Sequence, residues 1–150
     1  MAQYFELERG SIDLAWIWNV SQNVTPRAYS LRPDVMLVQH AINSVMARLQ
    51  LRDEHGNLIT SYLTRDGYLG PKTNAAILAY QRNLKSRGYL VKCDGAVDPA
   101  SRTAWTPDGH AQYTIVYLNR DHVEIQGKMM EEKDFPQLLQ ADLLAHGRSR

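Results

Sequence analysis

Five histidines, His40, His55, His110, His122 and His146, and one cysteine, Cys93, are the side chains of this 150-residue chain best suited to ligating a metal or carrying a proton. A hydrolytic zinc site needs ligands brought together by short spacing, as in His-Glu-x-x-His on one helical face, and no two of these histidines stand that way. With one cysteine there is neither an intrachain disulfide nor a cysteine-based zinc site, and nothing places a base beside Cys93. Glycoside hydrolysis needs two carboxylates held across a cleft, whereas Glu131, Glu132 and Asp134 fall in one charged run that reads as a solvated helix start. Gly67 and Gly70 lack the flanking residues of a phosphate-cradling loop, and no serine nucleophile motif is present. The expectation is a protein that is not an enzyme and needs no cofactor and no metal.

Hydrophobic residues at 44% and charged residues at 22% suit a folded domain with a core, and the length suits one ordinary domain or a small one elaborated at both ends. A net charge of +1, with no basic stripe beyond Arg148-Ser149-Arg150, argues against binding nucleic acid by phosphate neutralisation. No apolar run approaches the length of a membrane span. Glu6, Glu8, Arg9 and Asp13 interrupt any signal-peptide core, so synthesis in the cytoplasm without a signal peptide is expected. Action at a cell wall or in a periplasm would then need phage-like or nonclassical export.

The elements that would position functional side chains are an α+β set, mainly α. Residues 3–24 read as strand, with a turn at Arg9-Gly10-Ser11 and with Ile12, Leu14, Trp16 and Trp18 on one side of the second run. The two tryptophans are expected to pack as core. A polar connection leads to a first helix near Pro33-Asp34, whose stripe is Val35, Val38, Ile42, Val45 and Leu49. A loop with a weak extended segment at 58–63 precedes a second helix over 71–86, with Ala76, Ile77, Tyr80 and Leu84 on its apolar face and Gly88 as its stop. A short third helix is expected from Pro99 with Asp98 as N-cap, closing at Trp105. Residues 113–126 read as a β-hairpin turning at Asn119-Arg120-Asp121, and a last helix is expected over 135–145. Strands at both ends suggest one small terminal sheet against the helical centre.

Between these elements one pattern occurs twice. Asp66-Gly67-Tyr68-Leu69-Gly70-Pro71-Lys72-Thr73 is echoed 28 positions later by Asp94-Gly95-Ala96-Val97-Asp98-Pro99-Ala100-Ser101. Each copy is a tight Asp-Gly turn followed by a proline-led helix start, which indicates internal pseudo-symmetry of one small helical domain. With Asp34-Val35-Met36-Leu37-Val38-Gln39 opening a helix, Ala75-Ala76-Ile77 and Tyr80-Gln81 in the next, and a closing Trp105, residues 33–106 resemble the peptidoglycan-binding domain family of bacterial and phage cell-wall hydrolases. The resemblance implies a three-helix domain flanked by an N-terminal β extension at 1–32 and a C-terminal hairpin-and-helix extension at 107–150.

It also implies noncatalytic binding of bacterial cell-wall peptidoglycan, through its glycan strand or stem peptide. The alternative is a protein-interaction or adaptor module of the same fold in a phage-like particle or secretion system, with a companion protein held by the terminal extensions. Most of the repeated motif is of the types that turns and helix starts require, so ligand contacts should come from what the turns display. Aromatic faces for sugars and donors for carboxylates single out Arg65, Tyr68, Gln81, Arg82 and Tyr89.

Overall fold

Asp34, in the first turn of a helix, sets the entry to the core: its carboxylate accepts hydrogen bonds from the Ser21 backbone N–H (3.0 Å), the Ser21 hydroxyl (3.0 Å) and the Gln22 backbone N–H (3.1 Å). Burial raises its pKa above the usual carboxylate value, opposed by those hydrogen bonds. The computed structural model describes residues 3–6, 16–101 and 113–146. Two strands, β1 (Gln3–Glu6) and β2 (Trp16–Asn19), pair antiparallel with Gln3 opposite Asn19 and Glu6 opposite Trp16. Four helices follow: α1 (Arg32–Leu49), α2 (Pro71–Ser86), α3 (Thr114–Gln126) and α4 (Gln137–His146), with a 3-10 turn at Glu132–Asp134 before the last. The protein is mainly helical.

Helix α1 is the central element, packed against α2, α3 and α4. Its buried residues run all along the helix, from Asp34 through Val38 and Ile42 to Met46, so more than one stripe is covered. Helix α2 starts at Pro71, where a missing N–H costs nothing, and buries Ala76, Ile77, Tyr80 and Leu84 as its periodicity demands. The α2–α3 interface carries a buried polar centre: the Tyr80 hydroxyl donates to Asp121 Oδ2 (2.5 Å), and Arg87 grips the same carboxylate with Nη1 (3.1 Å) and Nη2 (2.7 Å). Burial, then the Asp121 charge, pushes the Tyr80 hydroxyl well above its ordinary pKa.

Three sequence expectations are corrected. Residues 114–126 form helix α3 in place of a hairpin, so the terminal segments do not meet in one sheet, and the sheet of the described residues is β1 with β2. The β-branched run Thr114-Ile115-Val116 has strand propensity, but as a helix it buries Ile115, Val116, Tyr117 and Leu118 together and brings Asn119 and Asp121 inward. Tertiary burial decides it, and Gly127, at φ +77°, supplies the helix stop. Nor does a helix begin at Pro99: residues 98–101 are irregular, while Trp105 and the turn at Arg9-Gly10-Ser11 lie outside the described residues.

Strand β2 belongs to the core. Ile17, Trp18 and Val20 are buried; the Trp18 indole N–H donates to the Met130 carbonyl (2.8 Å), and its ring meets Phe135 edge-on at 5.0 Å. Asn119 of α3 accepts from Trp18 N–H (2.8 Å) and donates to Trp18 C=O (2.9 Å). Asn19 grips Ala100 in the same two-way manner, at 3.0 and 2.9 Å, and Asn43 grips Leu63, at 2.8 and 2.9 Å. Side-chain amides thus stand in for missing ladder partners, tying β2 to α3, the Ala100 segment to β2 and the Leu63 segment to α1, and satisfy backbone groups that burial would leave unpaired.

Candidate functional site

The two Asp-Gly turns are each held by a buried glutamine from the preceding helix. Gln39 of α1 accepts from Gly67 N–H (2.9 Å), and its amide NH2 reaches Tyr68 C=O (3.1 Å), Thr73 Oγ1 (3.1 Å) and Asp66 Oδ1 (3.2 Å). Gln81 of α2 accepts from Gly95 N–H (2.9 Å) and donates to Ala96 C=O (2.8 Å) and Thr114 Oγ1 (3.2 Å). Within each turn the aspartate accepts from the N–H two residues on, Tyr68 or Ala96, at 3.0 Å. Each aspartate's carbonyl is also capped by an arginine: Arg32, the first residue of α1, on Asp66, at 3.2 and 2.9 Å, and Arg27, from the segment before α1, on Asp94, at 3.3 Å.

This construction leaves the first turn with a displayed surface. Tyr68 is 60% exposed, and the Arg32 guanidinium lies 4.5 Å from its ring centroid, so its two bonds to Asp66 also hold a cation against the aromatic face. Across from it Tyr29 is 80% exposed. Tyr29, Arg32 and Tyr68, with Pro26, Thr25 and Ser30, line a groove of about 430 Å³ to whose walls the described residues contribute no carboxylate. Two open aromatic faces, an arginine and two hydroxyls form a surface able to stack on a sugar ring and pair with an anionic group.

The five residues singled out from sequence do not converge. Tyr68 lies in this groove. Arg65, three residues earlier, turns to the other side, with Nη1 2.9 Å from His40 Nδ1 and 2.9 Å from the Asp134 carbonyl. Gln81 is buried with its amide given to the second turn, and it lines, with Asp94, Ala96 and Asp98, a separate groove of about 590 Å³. Arg82 reaches the Arg52 carbonyl at 3.3 Å beside the loop after α1. Tyr89 stacks on Tyr117 at 4.6 Å between centroids, with Arg87 at 5.5 Å and Arg120 at 5.7 Å from its ring. Tyr29 and Arg32, which complete the groove, have no strong sequence signal; a tyrosine between Pro26 and Pro33 in a polar connection was the available hint.

Comparison of the chain with protein-family models, with curated proteins and with solved structures finds no match. Among the described residues, no helix is long and apolar enough to cross a membrane.

Proposed function

We propose that the protein is a noncatalytic binder of bacterial cell-wall peptidoglycan, and that the groove of Tyr29, Arg32 and Tyr68 is where the polymer docks. The observation that carries this reading is the pairing of two exposed tyrosines with an arginine that, among the described residues, shares its groove with no carboxylate. Peptidoglycan combines pyranose rings, whose apolar faces stack on aromatics, with lactyl and peptide carbonyl and carboxylate groups that accept from arginine. The groove is preformed: Gln39 fixes the turn and Arg32 fixes the ring, so little side-chain entropy is lost on binding.

Co-sedimentation with purified insoluble sacculi tests it. Wild-type protein should pellet at low and moderate salt; protein that stays in the supernatant under both conditions would sink the proposal. A turbidity assay on the same suspension should show no clearing.

A further inference from the structure

On the opposite side of the 62–68 segment lies a second groove of about 430 Å³, lined by His40, Asn43, Ser44, Tyr62, Leu63 and Arg65. Like the first it pairs an exposed tyrosine (Tyr62, 62% exposed) with an arginine, and among the described residues no carboxylate lines it. Its frame is rigid. The Asn43 amide holds Leu63 by both backbone groups, which fixes where Tyr62 projects, and Arg65 is tied through Nη1 to His40 and to the Asp134 carbonyl.

A guanidinium only donates, so His40 Nδ1 must accept, and the ring is neutral. Burial, then the Arg65 charge, then His122 lower its pKa to about 4, with Asp134 acting weakly the other way. The charged and titratable neighbours of His40 are therefore Arg65 from the loop, His122 from α3 and Asp134 from the 3-10 turn, and His122 in turn faces Lys128. At neutral pH the groove presents one fixed cation beside an apolar floor and two side-chain polar groups, Asn43 and Ser44.

We infer that this second groove binds the free carboxylate of a short peptide, with Arg65 as its anion partner and Tyr62 as its wall. The inference rests on the peptidoglycan reading for the identity of that peptide, the stem peptide. The 62–68 segment then separates two grooves, the first taking sugar and the second taking peptide.

The test is a ¹H–¹⁵N NMR titration of the full chain with the synthetic tetrapeptide L-Ala-γ-D-Glu-L-Lys-D-Ala and with its carboxyl-amidated form. The free acid should shift the amides of Asn43, Leu63 and Arg65. It should also raise the midpoint of the His40 ring titration, because a bound anion favours the imidazolium. The amidated peptide should do neither, and Arg65→Gln should weaken the free acid by about tenfold. No shifts up to about 10 mM peptide, equal shifts from the amidated form, or shifts confined to Tyr29, Arg32 and Tyr68 would each overturn the inference. The amidated control needs no variant, so misfolding of Arg65→Gln does not blunt the test. Sacculus binding measured alongside separates the two claims: pelleting with a silent peptide titration overturns this inference alone, and peptide binding without pelleting overturns the first groove alone.

Discussion

The first and second Asp-Gly turns are built by the same device and used differently. In both, a buried glutamine reaches the glycine N–H, the carbonyl after it and a threonine at the next helix start, and an arginine caps the aspartate carbonyl. The difference is the residue after the glycine. The first turn places Tyr68 there, exposed; the second places Ala96, buried, followed by Val97, which exchanges backbone hydrogen bonds with Val24 at 2.9 and 3.0 Å. The first turn displays an aromatic side chain, whereas its twin buries Ala96 and Val97 and borders, with Asp94 and Asp98, a groove of about 590 Å³. The shared clamp builds both turns, and the exposed tyrosine is where they differ.

Breaking the clamps should have the largest effect. Gln39→Leu leaves the Gly67 N–H, the Tyr68 carbonyl and Thr73 without their partner, and should cost about 3 to 5 kcal/mol in chemical denaturation. Gln81→Leu should cost somewhat less, since its NH2 serves two acceptors where that of Gln39 serves three. Equal and negligible losses would show that the clamps do not hold the fold.

Next come the glycines, which separate the turns by what surrounds them. Both have positive φ, +80° at Gly67 and +74° at Gly95. A Cβ at Gly67 would lie 2.8 Å from the Arg32 carbonyl oxygen, which is backbone; at Gly95 it would lie 2.6 Å from Asn74 Oδ1, a side-chain atom that can swing away. Gly67→Ala should therefore cost about 2 to 4 kcal/mol and Gly95→Ala about 1 to 2 kcal/mol. The reverse order in thermal unfolding would contradict the packing described for the two turns.

How far this was legible in the sequence follows from the same residues. The Asp-Gly turns and helix α2 were readable because Gly and Pro act locally. The clamps were not: Gln39 lies 28 residues before its glycine and Gln81 only 14 before its own, so no single period relates them. The repeat aligned Ser101 with Thr73, yet Thr114 takes that role, 33 residues after Gln81 against 34 between Gln39 and Thr73. The extra chain is inserted before the glycine in one copy and after it in the other, which moved the third helix to a β-branched stretch that local propensity assigns to a strand. Of the first groove, Tyr68 was legible as the tip of a turn, while Tyr29 comes from a connection placed by tertiary contacts and Arg32 is the first residue of α1.

A smaller effect distinguishes the first turn's surroundings by pH. His40 has a pKa of about 4 in the fold against an ordinary 6.5, so the unfolded chain binds the proton first. Its contribution is complete above about pH 6.5 and is lost as pH falls towards 4. Asp34, whose pKa burial raises, works in the opposite sense, favouring the fold at lower pH. The comparison is therefore between wild type and His40→Gln, measured from pH 7 to 4: the variant should lose less stability over that interval, and parallel curves would contradict the role given to His40.

The smallest stability effect is expected at Tyr68, which the proposal places in the binding groove. Tyr68 projects from its turn, so Tyr68→Ala should change unfolding free energy by less than about 0.5 kcal/mol. The most direct measurement is co-sedimentation of wild type, Tyr68→Ala and Tyr29→Ala with purified sacculi, with thermal unfolding followed on the same samples. The account predicts that wild type pellets, that each variant is released by about tenfold or more, and that all three melt together. Variants that melt like wild type and still pellet with it would contradict the claim that the open turn is the binding surface.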